Sequence, residues 1–278
     1  MIRLGAQLSQ ARGYDVVIRE AGQAGLRSLQ VFSRNPVGGQ GKALPPQDSL
    51  KPLLRESGIE VLYIHAPYFV NPAALDTAMV ERARATLKQE MRRAKRLSGD
   101  FVVVHPGHWQ DATRREQAVV TFAGTLEAML AAPGRVLVEN TAGQGREIGG
   151  DFEELKRIFL AIGKTRRVGL MLDTAHAMAF GHRLTGADDV DRLLECVDKT
   201  VGIDRIRGIH LNDSLYPVAS RRDRHAHLLS GCLGREALWA LVRWAERSAC
   251  PLVLETPGRD IQQRQQDIAV IQEVSQEE

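Results

Sequence analysis

Eight short apolar runs punctuate the chain, each followed by a longer amphipathic or charged stretch. They are RLGAQLS (3–9), RSLQVFS (27–33), VLYIHAPY (61–68), FVVVHPG (101–107), RVLVENTA (135–142), VGLMLDTAHA (168–177), IRGIHLND (206–213) and PLVLETPG (251–258). Such runs mark strands covered on both faces, as in parallel sheets. A parallel strand needs a crossover before the next one, and the intervening segments supply helices. In residues 81–97, Leu87, Met91, Ala94 and Leu97 fall on one helical face. The seven basic and two acidic residues of that segment read as a solvated outer side. Asp151 is placed to cap a further helix beginning at Phe152. The alternation predicts a closed (β/α)8 TIM barrel, one domain over residues 1–278. An open doubly wound sheet is the alternative, but no GxGxxG follows an early strand, so a dinucleotide site lacks support.

Composition narrows the setting. No apolar run approaches the roughly 18 residues of a membrane span, and MIRLGAQLSQ lacks the long apolar stretch of a signal peptide. Cys196, Cys232 and Cys250 are odd in number and form no CxxC pair. They predict free thiols in a reducing compartment, the cytoplasm, and exclude a thiolate-rich structural zinc. A net charge of +3 permits a polyanionic partner without demanding one.

In a barrel of this kind the chemistry lies at the C-terminal mouth, where strands run into their following loops. Six of the eight runs finish there on a metal-type ligand: His65, His105, Glu139, Asp173 with His176 just beyond, His210 and Glu255. A carboxylate buried like that of Glu139 is costly unless paired or coordinated. Imidazoles and carboxylates without thiolates suit Zn2+, Mn2+ or Fe2+ better than Mg2+. Asp223 and His225, in the charged loop RRDRHAHLLSG (221–231), bring the candidates to nine. A catalytic zinc takes about three protein ligands, so nine suit three ions, particularly if Glu139 bridges two. Hydrolysis of a phosphate ester is the natural use of such a cluster.

Several motifs carry a resemblance: GAQLS near the start, HAPY at 65–68, HPG at 105–107, ENTAGQG at 139–145, DTAH at 173–176, HLND at 210–213, DRH at 223–225 and LET at 254–256. In this order and spacing the chain resembles the endonuclease IV family, zinc-dependent apurinic/apyrimidinic endonucleases of base excision repair. The resemblance implies a (β/α)8 barrel holding three zinc ions. One would be bound by His65, His105 and Glu139, a second by Glu139, Asp173, His210 and Glu255, and a third by His176, Asp223 and His225. It implies attack by a metal-activated hydroxide on the phosphorus 5′ to an abasic site in double-stranded DNA, with Glu139 bridging and Glu255 orienting or deprotonating the nucleophile. Tyr68 and Phe69 resemble the family's DNA-penetrating pair, and Asn35 matches an Asn after the second strand. Arg221, Arg222 and Arg224 would face phosphates. His227 falls outside the DRH match and is not counted as a ligand, and Asn212-Asp213 is expected to shape the loop after His210. A monomer is expected.

The chain departs from the family pattern at three places. Gln7 stands where the family's Gly-Ala-His-x-Ser has its imidazole. NPVGGQGKAL (35–44) replaces a loop carrying Arg and Trp. Leu229 replaces the first glycine of Gly-x-Gly-x-Ile-Gly, the run here being Leu229-Ser230-Gly231-Cys232-Leu233-Gly234. All nine ligands survive. The competing expectation is a sugar isomerase or epimerase of the related xylose-isomerase-like barrels, which typically need one or two ions; His176 with Asp223-x-His225 discriminates against it.

Overall fold

The computed structural model describes residues 2–38, 43–163 and 165–276. Gly39 to Lys42, within the NPVGGQGKAL loop, lie outside the described residues. In chain order the elements are β1 (Leu4–Gln7), α1 (Tyr14–Gln23), β2 (Ser28–Phe32), α2 (Lys51–Glu56), β3 (Val61–His65), α3 (Thr77–Arg96), β4 (Phe101–Val104), α4 (Arg115–Leu130), β5 (Val136–Glu139) and α5 (Phe152–Ala161). They continue with β6 (Val168–Asp173), α6 (Thr174–Phe180), α7 (Ala187–Thr200), β7 (Ile206–His210), β8 (Asp213–Ser214), β9 (His225–Ala226), α8 (Arg235–Arg247), β10 (Leu252–Leu254) and α9 (Gln265–Gln276). All strands but β8 and β9 close one parallel barrel, in the order β1-β10-β7-β6-β5-β4-β3-β2. The (β/α)8 expectation is borne out, and the open sheet is excluded by the pairing of β1 with β10.

Local chemistry sets the element ends. Asp76 accepts from the Met79 N–H at 2.8 Å and starts α3 four residues before the segment read from periodicity. Asp151 caps α5 as expected, accepting from the Glu153 N–H. The run 168–177, read as one strand, is in fact two elements. Asp173 ends β6 and its side chain accepts from the His176 N–H at 2.7 Å, capping α6 at once. A strand-end carboxylate doubling as a helix cap turns the chain sharply and places His176 back over the barrel mouth. The antiparallel β8–β9 hairpin has two residues per strand, too short for a periodicity signal.

The main core lies between the barrel and its helices, while Tyr63, Val103, Leu137, Met171 and Val253 fill the barrel interior. Tyr63 donates from its hydroxyl to the Arg207 carbonyl at 2.7 Å, so its one polar atom is satisfied. This plug makes the mouth the open end. β1 and β2 approach so closely that a Cβ on Gly5 would lie 2.2 Å from the Ser28 carbonyl oxygen. Gly5→Ala must therefore spread the barrel at its closing seam. It is expected to lower unfolding stability by about 1–3 kcal/mol or more in urea titration. An unchanged midpoint would show that the seam yields freely.

Candidate metal centre

The strand ends do converge. Among the described residues, three groups bring donor atoms within 4.8 Å of one another: His65, His105 and Glu139; Glu139, Asp173, His210 and Glu255; and Asp173, His176 and His225. Asp223 stands outside the last group but sets its Oδ1 3.4 Å from Nε2 of both His176 and His225. The structure thus gathers all nine candidates and adds one feature absent from the expected third set. Asp173 faces two clusters, with Oδ2 3.8 Å from both His210 Nδ1 and His225 Nε2. A cavity of about 300 Å³ opens over the cluster, between Tyr68, Pro72, Gly107 and Glu147.

Glu139 is at the centre and has no exposed surface. Its Oε2 lies 3.2 Å from His65 Nε2 and 3.0 Å from His105 Nε2. Its Oε1 lies 2.9 Å from His210 Nδ1 and 3.4 Å from His176 Nδ1. Burial alone would raise the pKa of this carboxyl, but the His210 and His105 charges beside it hold it well below the usual range. The imidazoles answer in kind. Burial opposes protonation of His210, yet the Glu139 and Glu255 carboxylates push its pKa up to about 9. Asp173 and Asp223 likewise overcome burial to raise that of His176. The carboxylates concentrated here draw positive charge, whether protons or metal cations.

The donor set fits divalent metals. Four of the five imidazoles rest their outer nitrogen on an acceptor and turn the other inward. His65 Nδ1 is 2.7 Å from the Ala66 carbonyl, His176 Nδ1 2.8 Å from the Asn140 carbonyl and His225 Nδ1 3.2 Å from the Glu255 carbonyl. His210 Nε2 lies 3.0 Å from Gln30 Oε1. Such outer contacts fix the tautomer of metal-binding histidines and aim the free lone pair. The inner nitrogen of His225 is buried with no hydrogen-bond partner, an unmet demand that a metal would meet.

With this geometry in place the chain can be set beside known proteins. The sequence profile of the family described as xylose isomerase-like TIM barrel matches residues 18–274. A relative from Alkaliphilus oremlandii, described as "Probable endonuclease 4", is 32% identical over 283 residues, covering 100% of this chain and 99% of its own. Endonuclease IV from Thermus thermophilus superposes with a TM-score of 0.85 at 32% identity, over 99% of this chain and 100% of that one. The chain belongs to the endonuclease IV family. A D-tagatose 3-epimerase-like protein also superposes, with a TM-score of 0.72 at 17% identity over 99% of this chain and 97% of that one, a likeness of fold alone.

Of the residues expected at the DNA face of this endonuclease IV relative, Tyr68 lines the cavity over the cluster, while Asn35 and Arg221 line two other hollows. Tyr68 and Phe69 follow β3 and are 54% and 47% exposed, two aromatic side chains adjacent on one loop. Tyr68 packs its ring edge-on to Phe32 and lies 5.2 Å from His65, which ties its position to a predicted ligand. Asn35 is exposed and turns its Oδ1 back to the Val37 N–H, so it shapes its own loop. Arg221 stacks 3.5 Å over the Phe180 ring, and Arg222 sits 4.7 Å over Tyr216. Arg224 bonds the Asp223 carbonyl.

Of the residues that support the cluster, Asn140 goes unread in the sequence and Asn212 reads there only as shaping a loop. Asn140 grips the Asp173 backbone through both amide ends, and Asn212 donates to Asp173 Oδ2 at 2.7 Å while accepting from the Glu255 N–H. Asn212 thus braces two candidate ligands, Asp173 and Glu255. The loop-shaping role falls to Asp213, whose carboxylate accepts from the N–H groups of Gly231, Cys232 and Leu233. Leu229 adopts φ +61°, the left-handed conformation that favours glycine, which accounts for the family's glycine at that place. Gly231 remains glycine because a Cβ there would lie 2.2 Å from the Ser214 carbonyl oxygen.

His227 faces away from the cluster, with Nδ1 2.9 Å from Asp267 Oδ2 on α9. The same buried carboxylate accepts from the Leu228 N–H and from Thr256 Oγ1, next to Glu255. Arg264 extends this clamp to the carbonyls of Thr256, Gly258 and Gln7. Asp267→Ala leaves these buried donors unpaired, at about 1–3 kcal/mol for the group. It is expected to lower Tm and to speed amide exchange across residues 225–228 while α3 stays protected. Unchanged exchange in that loop would mean another contact holds it.

Proposed function

We propose that the protein is a metal-dependent phosphodiesterase that cuts double-stranded DNA 5′ to abasic sites, as its membership of the endonuclease IV family implies. The observation that carries this reading is the convergence of nine N and O donors on one buried cluster, with His176, Asp223 and His225 extending it beyond a two-metal site. The site would hold three zinc ions, with Mn2+ or Fe2+ acceptable at individual positions. His65, His105 and Glu139 would take one, Glu139, Asp173, His210 and Glu255 a second, and His176, Asp223 and His225 a third, with Asp173 in reach of the last. When bound, such ions stabilise charge on phosphoryl oxygens and bring water ionisation toward neutral pH.

The protein's own groups supply position and proton handling. The two oxygens of Glu139 face different imidazoles, the arrangement a bridging carboxylate needs. Glu255 keeps its Oε2 on the cluster side, 3.1 Å from His210 Nδ1, where it can orient the attacking water and accept its proton. Tyr68 and Phe69 would enter the stack where the base is missing, filling the gap with apolar surface. Arg221, Arg222 and Arg224 would contact backbone phosphates, and Asn35 would meet the duplex from the loop after β2. Stacking on Phe180 holds the Arg221 guanidinium ready before DNA arrives. Residues 1–278 would act as one catalytic domain, as a monomer in the cytoplasm.

Incision of a duplex carrying a single tetrahydrofuran abasic analogue tests the reading. The wild-type protein is expected to cut 5′ to the analogue, and Glu139→Gln to lose metal and slow cutting by about 100-fold or more. No incision by protein with three bound metals would overturn the repair function. Two or fewer metals with turnover of a ketose would mark a sugar epimerase instead.

The DNA face can be separated from the chemistry. Replacing Tyr68 and Phe69 together by Ala is expected to slow incision of the duplex yet spare hydrolysis of bis(p-nitrophenyl) phosphate. Equal loss on both substrates would place the pair in the metal site rather than at a wedge. Alanine at Arg221, Arg222 or Arg224 should flatten the salt dependence of DNA affinity by roughly one unit of log slope per lost phosphate contact.

A further inference from the structure

Gln30 occupies the middle of β2 and has no exposed surface. Inward positions of such barrels are ordinarily filled by branched apolar side chains, and a buried amide is costly unless its groups are bonded. Both ends of this one are. Nε2 donates to Glu255 Oε1 at 2.7 Å, and Oε1 lies 3.0 Å from His210 Nε2. The two contacts are not independent. An ionised carboxylate only accepts, so the NH2 of Gln30 must face Glu255 and its carbonyl oxygen must face His210. A carbonyl also only accepts, so His210 must carry its proton on Nε2. In the neutral ring that would bind a metal, the lone pair is then left on Nδ1, which lies 2.9 Å from Glu139 Oε1 and 3.1 Å from Glu255 Oε2.

We propose that Gln30 is a positioning residue that sets the tautomer of His210 and aims Glu255, through one amide whose orientation the carboxylate dictates. His65, His176 and His225 rest on backbone carbonyls, which no substitution of a side chain removes. His210 rests on a side chain, so its aim can be changed by one mutation. The inference rests on the reading that Glu139, Asp173, His210 and Glu255 hold a metal.

The test uses zinc-loaded protein labelled with [15N]histidine, compared with Gln30→Leu. In the wild type, His210 should show a protonated Nε2 whose hydrogen is shifted downfield and exchanges slowly. In Gln30→Leu that hydrogen should move upfield and exchange faster, and zinc should pass to a competing chelator with about 10–100-fold weaker retention. Incision should lose kcat with little change in KM, because Gln30 is out of reach of DNA. An unprotonated Nε2 in the wild-type spectrum overturns the proposal by itself, even if the variant does not fold. So do an imidazole spectrum and a zinc release rate that Gln30→Leu leaves unchanged. A spectrum and zinc retention that respond as expected, in a protein that cuts no abasic duplex, would support the role of Gln30 while rejecting the repair function.

Discussion

A single carboxylate, that of Glu139, carries the electrostatic organisation of the barrel mouth. Placed at the end of β5 without access to solvent, it would be prohibitively costly alone. Four imidazoles from β3, the loop after β4, α6 and β7 meet its two oxygens. Those strands are neighbours in a closed sheet, so the barrel's curvature is what lets one side chain serve them all. Asp173, Asp223 and Glu255 then add further negative charge, which neutral imidazoles do not offset. The site is built to be short of positive charge, and a preformed cage with such a deficit favours cations.

Much of this was legible in the residues themselves. The eight apolar runs located every barrel strand, and the six that end on His, Glu or Asp located most candidate ligands, because a buried strand and a mouth-facing polar residue leave opposite signatures side by side. Asp223 and His225 stand in the charged loop instead. What stayed hidden had no such contrast. Asp173 reads as the last residue of a strand, but its second job as the cap of α6 depends on backbone direction. Its position between two clusters depends on how far β6 and β9 come together in space. Asn212 reads as part of a loop, and only its contacts with Asp173 and the Glu255 N–H reveal a residue that braces two candidate ligands.

Gln30 is the instructive omission. Its signal was present, a polar side chain amid Leu29, Val31 and Phe32, yet it sits in mid-strand rather than at the strand end where ligands were sought. The departures from the family pattern divide in the same way. Leu229 holds a left-handed backbone that would suit glycine, with Asp213 pinning the residues that follow, and nothing in the structure explains the leucine. Gln7 sits beside Asn35 and Val37 along a separate hollow of about 490 Å³, so its substitution alters the rim rather than the ligand cage.

The clamp around Asp267 has a consequence for how the molecule comes into being. Glu255 directly follows the last barrel strand, and the loop bearing Asp223 and His225 is tethered through His227 and Leu228 to α9, the final described helix. During synthesis His65, His105 and Glu139 leave the ribosome long before that tether exists. All donors of the first cluster are made by residue 139, whereas the third needs His225 and the second Glu255, and the tether of the loop comes later still. Order of synthesis becomes order of completion, and a chain cut short before α9 would keep most of its donors without the lock that closes the loop over them.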